Sequence, residues 1–531
     1  MPVKPFRWQH ATLYQVYVRS WKDSNGDGIG DLPGVTEGLD YLTWLGVDGI
    51  WLSPTMPSPN TDWGYDVSDY LGVHPDLGTL DDMDRLIEQA GRRGIAVLLD
   101  LVPNHTSSAH PWFVDALTGK AAEHRSYYVW APPKAGGGPP NNWVDATGAP
   151  AWTLDPASGE YYLHNFLPTQ PDLNWWDERV HAEFEEILHF WFKRGVAGFR
   201  IDVAHGLYKD KDLRDDPPAR PGDHPAALRD GLRPTYSAHR PEVHNVYKKW
   251  RQVADSYDPP RALLGETWEF DLEVLGDYYG RQAPELHLGF NFPFVFSALK
   301  PRELAFIVQS TLRALPAGAT PVWTASNHDL GRFATRWCQD DQEAVKAALV
   351  VLSTLPGTLV LYYGDELGMG NVDVAPEAQL DIMTKGSPAR LTRDSYRTPM
   401  PWAPGPRENY GFCPPGARPW LPPGDHGSTN VQVERANGAS VLQLCHDLVA
   451  LRRSGQIARG TDVQRLLLDD EVWAFRAGEA ITVANLSPAQ AERQLPVPGP
   501  LHVLCSTRPG AAGCKAGPAL QLGPWEAVVL S

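Results

Sequence analysis

A chain of 531 residues with 42% hydrophobic content can bury a large core and, on length alone, build more than one domain, which excludes a disordered polymer. The formal charge of −17 comes from acids spread along the sequence, which disfavours nucleic acid or an anionic membrane as the main partner and suits a neutral ligand. Five scattered cysteines are too few for a disulfide framework and lack metal-type spacing. Cys505 and Cys514 flank a turn-rich stretch able to close a hairpin, and a buried reduced pair is the expectation there. Met1-Pro-Val-Lys-Pro does not open an apolar leader, and no apolar run approaches the roughly 20 residues of a spanning helix, so the expected location is the cytoplasm, with no membrane partner.

From the N-terminus, residues 13–18, 49–53 and 95–101 are short apolar runs that read as successive parallel strands. Between the second and third, Met83, Leu86, Ile87 and Ala90 fall at i, i+3, i+4 and i+7 with Gly94 as the stop, the pattern of an amphipathic crossover helix. Residues 104 to about 172 break this rhythm with Trp, Tyr, Pro and Gly, which predicts a long insertion after the third strand, overhanging the face where barrel sites lie. Phe184, Ile187, Leu188 and Trp191 then mark a helix before strand runs at 197–202, 262–266, 287–292, 321–326 and 357–363. Eight strand candidates are what a (β/α)8 TIM barrel needs. An irregular stretch at about 370–430 is expected to form another pocket wall. Val441, Leu442, Leu444, Cys445, Leu448, Val449 and Leu451 form the stripe of a last barrel helix, and the remainder alternates like a small β-domain. The expectation is an α/β chain with a barrel over 1–104 and 173–455, an inserted loop-rich subdomain over 105–172, and a C-terminal antiparallel β-sandwich over 456–531.

Polar residues at the C-terminal ends of barrel strands point into the site, so acids that directly follow apolar runs carry the most information. Asp202 follows Phe199-Arg-Ile, Glu266 follows Leu263-Leu-Gly, and Asp329 stands just beyond Thr324-Ala-Ser-Asn-His. One such acid is more often structural than catalytic. Three at one barrel mouth are costly to desolvate and are better explained by chemistry. A different signal precedes them: Asp23-Ser-Asn-Gly-Asp-Gly-Ile-Gly-Asp places side-chain oxygens at alternate positions of a Gly-rich loop, as a hard cation requires. Gly34 stands where an EF-hand carries its bidentate Glu, so the expectation is a structural ion rather than a calcium sensor, with a solvated acidic turn as the alternative.

Asp100-Leu-Val-Pro-Asn-His, Gly198-Phe-Arg-Ile-Asp, Gly265-Glu-Thr-Trp and Asn327-His-Asp, in that order, resemble the conserved regions of the α-amylase family, glycoside hydrolase family 13. Gln170-Pro-Asp-Leu-Asn, Tyr362-Tyr-Gly-Asp-Glu and Arg393-Asp-Ser-Tyr-Arg-Thr-Pro-Met-Pro-Trp look like its α-glucosidase and oligo-1,6-glucosidase branch, over about residues 10–460. The resemblance implies a retaining double displacement with Asp202 as nucleophile, Glu266 as acid/base and Asp329 as transition-state stabiliser, which requires the first two carboxyl groups to stand about 5–5.5 Å apart. It further implies that Arg200 helps to keep Asp202 ionised. Around them it implies a glucose-sized pocket: Asp62 and Arg397 on the far hydroxyls, His105 and His328 on others, Tyr65 and Phe166 stacking on the ring. Removal of one terminal glucose at a time from a small α-glucoside would follow.

The same resemblance implies Ca2+ or Mg2+ in the acidic loop, held by Asp23, Asn25, Asp27, Asp31 and the Ile29 carbonyl, no organic cofactor, and a monomer or homodimer. Thr147, Trp63, Tyr396, Pro401 and the Ala204-His205 pair after Val203 depart from the branch pattern, so linkage preference stays open. Sucrose isomerisation or glucosyl transfer on the same scaffold is the alternative. A non-catalytic amylase-like binding protein would have lost the carboxylates that this chain keeps.

Overall fold

The computed structural model describes residues 6–221, 223, 225–382 and 392–531. Eight parallel strands run β1 (Thr12–Val16), β2 (Gly49–Leu52), β3 (Ala96–Leu101), β4 (Gly198–Ile201), β5 (Ala262–Gly265), β6 (Leu288–Gly289), β7 (Val322–Trp323) and β8 (Thr358–Tyr362). Their order in the sheet is β7-β8-β1-β2-β3-β4-β5-β6, and β8 lies beside β1 with Leu359 opposite Thr12. The sheet therefore curls into a nearly closed (β/α)8 barrel. Every residue of β1, β2, β4, β5 and β8 is buried, as expected where side chains fill the inside and helices cover the outside. The inner side chains, among them Leu13, Trp51, Leu98, Leu264, Leu288 and Val360, make an apolar plug. Polar groups are displaced to the strand ends above it.

Three strands end two or more residues before their apolar runs do. The run at 287–292 stops at Gly289 because the Asn291 side chain accepts from Phe294 N (3.1 Å) and opens a short helix, Phe292–Val295. The run at 321–326 pairs only at Val322 and Trp323. The first run likewise ends early, since residues 18–20 turn into a 3-10 helix.

The helix Leu80–Arg92 opens with a Thr79/Asp82 capping box and buries Met83, Leu86 and Ala90, while Ile87 stays partly exposed and Gly94 leaves the helix at φ +75°. The helix Glu178–Lys193 buries Phe184, Ile187, Leu188 and Trp191. Between β3 and that helix, the strands Trp130–Ala131, Trp152–Asp155 and Glu160–Leu163 form an antiparallel sheet on a small core of its own around Trp143 and Trp152. The outgoing and returning chains meet at its root, where Leu173 N donates to Asn104 O (2.9 Å).

After the helix Val441–Ser454, a six-stranded antiparallel sheet and a two-stranded one enclose Val472, Ile481, Val483, Leu501 and Leu530. Cys505 is buried here but Cys514 is exposed, and both are free thiols. The expected buried pair fails because the chain entering the edge strand Lys515–Ala516 turns residue 514 to solvent. No described helix is long and apolar enough to cross a membrane.

Candidate active site

Three neighbouring strands deliver their acids to one cation. Asp100 of β3 lies opposite Arg200 of β4, and Ile201 lies opposite Gly265 of β5, so Asp202 and Glu266 leave adjacent strands side by side. Arg200 is fully buried. Its Nη1 donates to Asp100 Oδ1 (2.8 Å) and to Asp202 Oδ1 (2.6 Å), and its Nη2 meets Glu266 Oε2 (2.8 Å). Sharing one planar guanidinium draws the carboxyl groups of Asp202 and Glu266 together, as a retaining pair requires. Glu266 also accepts from Val203 N (3.0 Å) and Trp268 Nε1 (3.1 Å). Val203 sits at φ +46°, a strained conformation for a β-branched residue, and that turn aims its N–H at the acid.

Burial pushes Asp202 well above the usual carboxylate range; Arg200 pulls against it, while Glu266, Asp100 and Asp329 push further. Asp100 is raised to about 6, again by burial against the pull of Arg200. The expected ionising influence of Arg200 is thus present but outweighed in the unliganded site. One guanidinium cannot neutralise three buried carboxylates, so the cluster keeps a proton. For Asp202 to attack, that proton has to reside on Glu266.

Asp329 forms the opposite wall with 24% of its side chain exposed. Its Oδ1 is met by Arg393 Nη1 (3.1 Å) and Arg397 Nη2 (2.9 Å), its Oδ2 by His328 Nε2 (2.8 Å). Burial alone would raise this carboxyl, but His328, Arg397 and Arg393 hold it well below the usual range. Gln15 Nε2 donates to His328 Nδ1 (2.8 Å), so the Nε2 of this buried imidazole carries the ring proton, placed between the Tyr65 hydroxyl (2.5 Å) and Asp329 Oδ2. Tyr65, 5% exposed, lies parallel to His328 at 5.2 Å and donates to Asp100 Oδ2 (3.1 Å). Phe166 packs on His105 with centroids 5.1 Å apart. Burial lowers the His105 pKa, and its Nε2 faces Tyr65 O at 3.1 Å.

Arg397, expected on the far hydroxyls, has 0% of its side chain exposed; its Nε donates to His328 O (2.7 Å) behind Asp329. The guanidinium at the pocket wall is Arg393, whose Nη2 meets Asp62 Oδ1 (2.7 Å) and Asp381 Oδ1 (2.7 Å). Asp62 Oδ2 accepts from Gln170 Nε2 (3.2 Å). Arg393, Asp100 and Gln170 were absent from the expected site, although each stands inside a motif that carried the resemblance.

The α-amylase catalytic-domain family matches residues 15–460. The chain belongs to the α-amylase family. An α-glucosidase of Culex pipiens is 37% identical over 98% of this chain and 90% of that protein, and an oligo-1,6-glucosidase of Heyndrickxia coagulans is 36% identical over 84% and 85%. Among solved structures, the α-glucosyl transfer enzyme XgtA superposes with a TM-score of 0.90 at 34% identity, and the trehalulose synthase MutB of Pseudomonas mesoacidophila with 0.88 at 28%, each over 98% of this chain and 99% of the other.

Within this α-amylase-family chain, the departures fall in two groups. Trp63, at φ +50°, packs at 4.9 Å on Trp420, which also stacks on Tyr17 at 6.0 Å, so part of the segment after β8 does wall the site beside Asp62. Residues 383–391 of that segment lie outside the described residues. Tyr396 is buried and donates to Asp329 O (3.0 Å), and His205 stacks on His239 at 4.7 Å. Thr147 and Pro401 stand elsewhere: Thr147 is exposed in a turn, donating to Asp145 Oδ1 (2.6 Å), and Pro401 is buried with its carbonyl accepting from Val431 N (3.0 Å).

The acidic loop curls on its own amides. Asp23 accepts from Asn25 N (3.0 Å), Gly26 N (2.6 Å) and Gly28 N (2.8 Å), Asn25 from Asp27 N (2.8 Å), and Asp27 from Ile29 N (2.8 Å). Asp31 caps the helix Leu32–Glu37 and accepts from Ser24 N (3.1 Å). A side chain at Gly28, φ +90°, would meet Arg418 O at 1.9 Å, so only glycine fits. The donors are hard oxygens and suit Ca2+ or Mg2+ in kind, yet among the described residues no three acid, His or Cys groups stand at metal-holding spacing.

Proposed function

We propose that the chain is a retaining, exo-acting α-glucosidase that releases terminal α-linked glucose from short oligosaccharides or α-glucosides. One observation carries this reading: Arg200 holds Asp202 and Glu266 together at adjacent strand ends while an ionised Asp329 faces them. In the first step an Asp202 oxygen forms a bond to the anomeric carbon, the glycosidic C–O bond breaks, and Glu266 gives its proton to the departing oxygen. In the second, Glu266 takes a proton from water as that water's oxygen displaces Asp202, and configuration is retained. Asp329 binds ring hydroxyls more tightly as positive charge develops on the sugar. An Asp62–Arg393 ion pair at the far end of the glucose site would favour a chain end over a chain interior. The α-glucosidase and oligo-1,6-glucosidase relatives support the substrate class.

A second reading, transfer of the glucosyl group to a sugar or its isomerisation, rests on Trp268, which is tethered to Glu266 and stacks on Phe292 at 4.5 Å. That aromatic wall on the leaving-group side suits a bound sugar better than ordered water, and XgtA and MutB share the fold. Incubation with maltose, isomaltose, sucrose and a nitrophenyl α-glucoside separates the readings. Hydrolysis gives α-glucose as the first anomer seen by NMR; transfer gives new oligosaccharides or a sucrose isomer. Equal inactivity of the wild type and Asp202→Asn on all four would sink both readings.

With its buried free thiols, the enzyme fits the reducing cytoplasm, as a monomer or homodimer. A Ca2+ or Mg2+ ion on Asp23, Asn25, Asp27, the Ile29 carbonyl and Asp31 would neutralise charge and take no part in the bond-breaking chemistry. It would also stiffen a loop whose Asp23 N donates to Phe412 O (2.9 Å) and whose Gly28 O accepts from Trp420 N (2.9 Å). Chelation is expected to lower Tm by roughly 5–10 °C, reversibly with Ca2+, while leaving the rate at low temperature nearly unchanged. A Tm indifferent to chelator and to added ion removes the site.

A further inference from the structure

We propose that Lys209 is a positioning residue that, through Asn104, fixes His105 in one tautomer and fastens the root of the inserted sheet to the loop behind the nucleophile. Lys209 is 2% exposed; its ammonium donates to Asn104 Oδ1 (2.7 Å) and the Gly206 carbonyl and forms an ion pair with Asp172 Oδ2 (2.7 Å). Asn104 stands where the chain leaves β3 for the insertion, Asp172 where it returns, and Gly206 in the loop that carries Asp202. The approach is close enough to demand glycine, since a Cβ on Gly206 would lie 2.9 Å from Asn104 Oδ1 and 2.7 Å from Val203 Cγ1.

The ammonium does more than balance Asp172. With its Oδ1 held by a cation, the Asn104 amide cannot turn over without pointing its NH2 at that charge. Its Nδ2 therefore donates to His105 Nδ1 (3.1 Å), which must accept. The ring proton is left on Nε2, where it donates to Tyr65 O (3.1 Å), while the neighbouring Gln170 amide spends its own proton on Asp62 Oδ2 (3.2 Å). The groups around His105 are thus Asp172, Asp62 and Lys209 by charge, and the Asn104 amide with the Tyr65 carbonyl by hydrogen bonding, the Gln170 NH2 standing 3.2 Å from Nε2. Burial lowers the His105 pKa, Asp172 and Asp62 raise it, and Lys209 lowers it.

The test compares Lys209→Met, Lys209→Arg and the double variant Lys209→Met/Asp172→Asn in the full chain. Its kinetic arm rests on the α-glucosidase reading; its spectroscopic arm, the 15N signals of His105 assigned with His105→Gln, does not. Lys209→Met is expected to lose roughly 10- to 100-fold in kcat/KM. Its acid limb should move to higher pH, because Asp172 and Asp62 then favour the imidazolium unopposed. The double variant removes the unpaired carboxylate and should recover Tm, yet show mixed His105 tautomers and still turn over slowly. Lys209→Arg keeps the charge and should hold the acid limb near its wild-type pH. A double variant with wild-type kcat/KM and a single Nε2–H His105 signal overturns the proposal, leaving Lys209 as a counter-ion alone. A wild type inactive on every α-glucoside condemns the activity reading, and the 15N spectra then decide the positioning role.

Discussion

Glu266→Gln loses about 1,000- to 10,000-fold in turnover of maltose-like substrates, whose leaving oxygen needs a proton, and far less in the first step with aryl α-glucosides, whose phenolate leaves unaided. The amide keeps an oxygen for Val203 N and a place beside Trp268, so the strand end and its strained turn survive the change. What goes is the proton, first as the acid and then as the base that activates water. An aryl glucoside should therefore give a burst of phenol followed by a slow phase, as the glucosyl group stays on Asp202. Azide, which needs no base, should restore the second step and yield α-glucosyl azide. Asp202→Asn, lacking the nucleophile, shows no burst with any leaving group. A Glu266→Gln loss that is the same for alkyl and aryl leaving groups would place the proton donor elsewhere.

The barrel and two of its acids are legible for one physical reason. Parallel strands buried on both faces read as unbroken apolar runs, so Asp202 and Glu266, standing directly after such runs, interrupt them visibly. Asp100 has the same function of facing Arg200, but it lies inside its run, one residue before Leu101, and there looks like a solitary defect in a strand. Arg393 and Arg397 sit four residues apart in one motif, and only the 3-10 turn at Arg393–Tyr396 decides which guanidinium reaches the wall and which is buried behind Asp329. That is local geometry, which a residue pattern does not encode. The short β6 belongs to the same class: Asn291 is a helix cap only in the company of Phe294 N, and within an apolar stretch it passes for a strand residue. Cys514 was misplaced for lack of a partner strand. Alternation announces a β-domain, but the pairing of Leu501 with Ala516 decides which neighbour meets solvent.

Arg200→Met is the substitution with the largest expected effect on the fold. The methionine fills much of the same volume, so packing against Trp51, now 5.2 Å below the guanidinium, is largely kept, and the change isolates the charge. Asp100, Asp202 and Glu266 are then buried without a cation, a situation worth roughly 3–5 kcal/mol of destabilisation at neutral pH. Activity should fall by at least a thousandfold, because the pair that must divide one proton between two roles loses the group that holds it together. The pH dependence gives the sign. Asp100 already titrates at about 6, above an unfolded carboxylate, and removing Arg200 raises it and Asp202 further. A group whose folded pKa lies above its unfolded value stabilises the fold when protonated, below the unfolded pKa, and that contribution is lost as pH climbs through the folded value. Arg200→Met should therefore lie closest to wild type in Tm near pH 4 and fall away from it steadily toward neutrality. Adding Asp100→Asn removes one of the competing charges and should return part of the lost Tm at pH 7 without returning turnover, since Asp202 and Glu266 stay unbridged. A Tm gap between Arg200→Met and wild type that does not widen from pH 4 to pH 7 would mean that the guanidinium contributes shape, not charge, to this site.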